Sequence, residues 1–198
     1  MLPPKRRSQF FIVGVTLLIL TARPAPLLAQ QQPQGFAVER LYPSAPGSAW
    51  LVMDDLSMQG GFRGAVALTT SYARRPFEPT SPDGAQRLSV VSDEAFVEFG
   101  LAVTYSRYRA YVTLPVPLVV TGNGGTLGPY VFNAPGVNVA ANPDTIFDPR
   151  VGLEVRVLGE PAGAFRLGLA AELIFPSGDR SDYITDGTYR GIFRGLFA

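Results

Sequence analysis

Between residues 62 and 73 the chain alternates between two unlike sets of side chains. Phe62, Gly64, Val66, Leu68, Thr70 and Tyr72 fall on one parity, and Arg63, Ala65, Ala67, Thr69 and Ser71 on the other. A period of two belongs to a β-strand with two different faces. The same split recurs in five further segments. Charges gather on one parity and aromatic residues end the apolar one. That combination predicts an apolar face that meets lipid rather than a protein core, as in a transmembrane β-barrel.

In 87–105 the alternation places Ala95, Val97, Phe99, Leu101, Val103 and Tyr105 outward. Glu94, Glu98, Gly100, Ala102 and Thr104 take the inward parity, which Phe96 interrupts. A tight turn at Ser106-Arg107 leads into 108–120, with Tyr108, Ala110, Val112, Leu114, Val116, Leu118 and Val120 outward. Pro115 and Pro117 fall on the inward parity there; proline removes a ladder bond, so a bulge or fraying is expected. Segment 147–159 puts Phe147, Val151, Leu153, Val155 and Val157 outward, opposite Arg150, Glu154 and Arg156. Segment 164–175 puts Phe165, Leu167, Leu169, Ala171, Leu173 and Phe175 outward, and Gly168 inward, where a small side chain is expected to be tolerated. Segment 189–198 sets Tyr189, Phe193 and Phe197 against Arg190 and Arg194.

The connections alternate long and short, as barrels with long external loops and short periplasmic turns require. Loops are expected at 74–86, 121–146 and 176–188, and short turns at 106–107 and 160–163. The predicted fold is therefore all-β, an antiparallel transmembrane β-barrel with about six strands over 62–198. An open edge cannot face lipid, because its N–H and C=O groups would be unsatisfied. The expectation is an incomplete barrel, from a C-terminally truncated fragment lacking at least two strands.

Lys5, Arg6 and Arg7 precede an apolar run, 10–20, too short to span a bilayer. With Leu27-Leu28-Ala29 after it, this predicts a signal peptide over 1–29 and export to the outer membrane of a Gram-negative-type cell. Residues 30–61 are expected to form a periplasmic leader and a short extended piece.

The net charge of +1 gives no reason to expect nucleic acid as a partner. The chain has no His and no Cys, which removes His-dependent hydrolysis and most zinc or copper sites. No enzyme, cofactor or metal is expected. The best carboxylate cluster, Asp179, Asp182 and Asp186, lacks the alternating spacing of a calcium loop and reads as solvated loop. Gly122-Asn123-Gly124-Gly125 lacks the Lys-Ser/Thr of a phosphate loop and reads as a turn. The candidate functional residues are the charges on the lumen parity: Glu94, Glu98, Arg107, Arg109, Glu154, Arg156, Arg166, Glu172, Arg190 and Arg194. In a small barrel such groups pair across strands and fill the interior; in a wide one they would line a water-filled path.

The run 34–40 (Gln-Gly-Phe-Ala-Val-Glu-Arg), with Pro43-Ser44 and Ser48-Ala49-Trp50-Leu51 after it, resembles the beginning of OmpA-family outer-membrane proteins. Leu114-Pro115-Val116 and the stretch from Phe175 to Arg180, followed by Asp186-Gly187, are similar to that family as well. The resemblance implies a barrel scaffold with a structural, envelope-tethering role and some small-solute permeability. It also implies contact with outer-membrane lipid and, through a C-terminal domain absent here, with peptidoglycan. A passive porin or transporter, and a surface receptor or adhesin acting through the long 121–146 loop, are the alternative functions.

Overall fold

The computed structural model describes residues 35–198, so the expected leader at 1–29 lies outside the described residues. Among the described residues there are nine strands and one 3-10 turn. The long ones are β1 (Phe62–Phe77), β2 (Val91–Tyr105), β3 (Tyr108–Thr121), β7 (Arg150–Leu158), β8 (Leu167–Ile174) and β9 (Arg190–Phe197). They make one antiparallel meander in the order β1-β2-β3-β7-β8-β9. Between β3 and β7 lie three short strands: β4 (Gly125–Leu127), β5 (Tyr130–Phe132) and β6 (Gly136–Asn138). β4 pairs with β5, and β6 adds to the far end of β3. The 121–146 connection is thus folded rather than a plain loop. The fold is all-β and antiparallel, but the sheet is not closed into a barrel. Among the described residues β1 and β9 each keep one unpaired edge. No helix among the described residues is long and apolar enough to cross a membrane.

The two faces differ in the sense the alternation demands. Val66 and Phe193 are 79% and 86% exposed, and Phe99, Leu101, Leu153 and Leu169 share their face. On the other face Glu94, Glu98, Arg109, Arg150, Glu154 and Glu172 are buried. A soluble protein has the opposite distribution. Register aligns the aromatic ends laterally: Phe62 stands opposite Tyr105, and Tyr105 opposite Tyr108. Phe165 packs edge-on to Phe197 at 5.3 Å at the same end. Tyr72 and the Phe175–Tyr189 pair, 5.8 Å apart, mark the other end. Phe62 to Tyr72 spans about 33 Å of strand at ~3.3 Å per residue. A tilt of ~40° reduces that to about 25 Å, the height of the apolar band in outer-membrane barrels.

Three local departures have physical causes. Opposite Ala95 and Phe96, β3 skips from Val119 to Pro117, so Leu118 is an extra residue beside the proline. This bulge reverses the parity, and Val120 points inward and is buried, not outward. Phe147 is also buried rather than outward: it precedes β7 and packs on Phe96 at 5.6 Å, 81° between planes. Phe96 breaks the polar parity because it is part of a loop-end core with Val90, Val91, Val137, Tyr183 and Ile184. Finally, β1 continues to Phe77 past a register irregularity, with Arg75 at φ +51°, so 74–77 belongs to the strand rather than to the loop.

Candidate functional site: the charged face and its cover

Residues 35–58 form no strand, yet Ala37, Ala45, Leu56 and Met58 are buried. This segment, expected as a periplasmic leader, lies against the charged face of the sheet, and strand arginines hold it there. Arg109 donates through Nη1 to Ser48 Oγ (3.0 Å) and Glu154 Oε2 (2.9 Å), and through Nη2 to Asp55 Oδ1 (3.1 Å). Arg156 donates to the carbonyl oxygens of Leu56 (3.0 Å) and Met58 (2.7 Å). Arg194 pairs with Asp54 at 3.0 Å. Arg190 donates to Tyr42 Oη at 2.8 Å and Asp148 Oδ2 at 3.2 Å. Irregular backbone can lie here because guanidinium groups satisfy its carbonyls.

A second cluster lies within the sheet. Arg150, 2% exposed, donates to Glu98 Oε2 at 2.6 Å and pairs with Glu172 at 3.5 Å. Tyr111 Oη donates to the same Glu172 oxygen at 2.6 Å, and Arg194 donates to Tyr111 Oη at 3.3 Å. The ring of Tyr111 lies over Gly152, its cross-strand partner; a Cβ on Gly152 would stand 2.1 Å from it. Glycine is required there so that the ring can cross the neighbouring strand. Both oxygens of buried Glu94 lack a hydrogen-bond partner among the described residues.

At the loop end Arg40 grips Asp186 with two hydrogen bonds, 3.0 and 3.1 Å, and Arg190 pairs with the same carboxylate at 2.9 Å. Burial pushes the Asp186 carboxyl up, but Arg40, the Ala37 amide and Arg190 outweigh it and hold the group below the usual carboxylate range. Asp55 behaves alike: burial raises it, and the Ala49 amide, Ser57 hydroxyl and Arg109 bring it below that range. Burial raises the Glu39 carboxyl against the pull of the Leu41 and Arg40 amides.

Of the ten candidate residues, Glu94, Glu98, Arg109, Glu154, Arg156 and Glu172 are buried on this face. Arg190 and Arg194 are half-buried and paired into it. Arg166 is half-buried but donates to Pro161 O (3.0 Å) in its own turn. Arg107 departs from the expectation: it sits in the hairpin turn and is exposed. Arg150 shares the inward parity without standing in the set of ten, and it is the centre of the cluster. Tyr42, Asp54 and Asp55 belong to the covering segment, whose sequence has no periodicity to betray them.

The Asp179, Asp182 and Asp186 cluster does not converge. Asp179 caps the 3-10 turn (Arg180–Asp182), Asp182 accepts from Gly136 N at 3.2 Å, and Asp186 serves Arg40 and Arg190. Among the described residues no group of three or more acids could hold a metal ion. The Gly122 turn is closely packed: a Cβ there would meet Val90 O at 1.8 Å.

A charged face so occupied defines a class, an open antiparallel β-sheet whose polar face is covered by its own chain. No family model matches the chain, and no curated protein or solved structure matches it either.

Proposed function

We propose that this protein is an outer-membrane β-barrel of the OmpA type, with a structural role in the cell envelope and an occluded interior. The observation that carries the reading is the inverted sheet: an exposed apolar face bounded by two aromatic rows, backed by buried ion pairs. Exposed apolar surface on that scale is stable in lipid and not in water. The unpaired edges of β1 and β9 need further strands in a bilayer, so the barrel closes with strands beyond the six long ones described. The covering segment favours a filled interior over an open porin. Its arginine contacts occupy the space through which a solute would pass.

Expression of the chain with its leader in a Gram-negative host tests this. The protein is expected in the outer-membrane fraction, with heat-modifiable mobility. A fluorophore on Leu101→Cys should be quenched by brominated acyl chains, and one on Ala102→Cys should not. Protease added to intact cells should cut within 139–144, which is exposed, and spare 160–163. Recovery as a soluble protein without detergent would end the membrane reading. Rapid flux of small neutral solutes would favour the passive porin.

A further inference from the structure

The two connections 106–107 and 159–166 are neighbours because β3 pairs with β7. Between them lies a cleft of about 480 Å³, lined among others by Ser106, Arg107, Val157, Leu158 and Glu160. Its lining is divided. Ser106 and Arg107 supply a hydroxyl and a guanidinium; Val157 and Leu158 are 43% and 55% exposed and continue the apolar face. The aromatic row at this end brackets the first turn, since Tyr105 and Tyr108 pair across it. The neighbouring arginines are committed: Arg156 to two carbonyls, Arg109 to Asp55 and Glu154, Arg166 to Pro161. Arg107 and Glu160 are exposed, and neither side chain makes a hydrogen bond or ion pair among the described residues, with each other or with anything else. The strand end that forms one wall of the cleft is irregular. The β7–β8 register slips between Arg156 and Leu158, and Gly159 has φ +88°.

Two opposite charges that share a cleft without meeting, beside an apolar wall at the interfacial row, suit an amphiphile whose headgroup carries both signs. We propose that this cleft binds one glycerophospholipid with a primary-amine headgroup, on the reading that the exposed face meets lipid. Arg107, with Ser106, takes the phosphate, because a guanidinium fork matches phosphate oxygens. Glu160 accepts from the ammonium group, and the acyl chains run over Val157 and Leu158. A quaternary ammonium has no N–H to donate to Glu160, and a glycerol headgroup has no positive charge to place there.

The test is native mass spectrometry of the full chain in neutral detergent. The chain is offered equal amounts of phosphatidylethanolamine, phosphatidylcholine and phosphatidylglycerol with identical acyl chains. About fivefold preferential retention of phosphatidylethanolamine is expected, the scale of one charge at a membrane surface. Glu160→Gln should abolish the preference over phosphatidylcholine. Arg107→Gln should weaken retention of all three about fivefold, with Arg107→Lys recovering most of it. Arg74→Gln, at the opposite end of β1, should change nothing. Equal retention of the three lipids, or preference for phosphatidylglycerol, overturns the proposal. So does displacement by millimolar phosphoethanolamine, which would mark a site for the free headgroup. A chain that enters micelles yet shows no preference refutes the lipid site alone. A chain that stays soluble without detergent refutes the membrane reading and the site with it.

Discussion

Replacing Arg150 by Met should be among the most damaging single changes in the sheet. The guanidinium is 2% exposed, and its side-chain partners Glu98 and Glu172 are 6% and 1% exposed. At 2.6 Å the Arg150–Glu98 attraction is about 6 kcal/mol for an effective dielectric of ~20. Desolvation of both groups offsets part of that in the intact protein. Removing Arg150 leaves the desolvation of Glu98 without its compensation. Glu172 suffers less, since Tyr111 still donates to it and Arg194 stands 3.8 Å away. The expected loss is about 3–5 kcal/mol, the range for breaking a buried pair from one side. The double variant Arg150→Met/Glu98→Gln should recover at least half, because the stranded charge is gone. Urea unfolding in detergent, read from the single tryptophan Trp50, measures all three proteins. A loss below about 1 kcal/mol for Arg150→Met, or a double variant no better than the single, would show that Glu98 is not held by this pair.

Gly152→Ala should cost about 1–3 kcal/mol, because the methyl displaces the Tyr111 ring and with it the bond to Glu172; the same unfolding assay reads it. Leu169→Arg, on the exposed apolar face, should lose about 2–4 kcal/mol in a bilayer, scored by membrane assembly yield. Gly168→Ser should also destabilise, by about 1–3 kcal/mol: a Cβ there would meet buried Leu56 at 2.5 Å and Val155 O at 2.8 Å, so this inward position is not the permissive one its parity implies. Asp55 and Asp186 have depressed pKa values, so their stabilisation is present at neutral pH and drains away as pH falls below about 4. Unfolding midpoints at pH 6 and pH 3 should differ more for the wild type than for Asp186→Asn.

Strand pairing was legible because the two faces of each long strand differ, one apolar and exposed and the other polar and covered, and parity records that without help from tertiary detail. The same logic failed where a residue left the ladder. Val120 and Phe147 share the outward parity by count, but a bulge at Leu118 and the late start of β7 turn both into core. Phe96, an apparent flaw in the polar parity, was the visible trace of the loop-end core. The covering segment was not legible. Ser48, Asp54 and Asp55 dock as irregular backbone, so nothing in their spacing distinguishes them from a solvated leader. Their partner arginines were readable; the contacts, up to 148 positions apart between Tyr42 and Arg190, were not.

Those separations also govern the order in which the molecule can complete itself. The cover precedes every described strand, yet its Asp54 and Tyr42 are gripped by Arg194 and Arg190 of β9, the most C-terminal of them. A nascent chain therefore carries this cover from the start and cannot fasten it fully until β9 has been made. Contacts of this span close large loops and form late. Until then Asp54 and Tyr42 lack the β9 arginines that hold them. The final grip then commits wall and interior together. A chain cut before β9 should keep its hairpins while leaving the cover open to proteolysis.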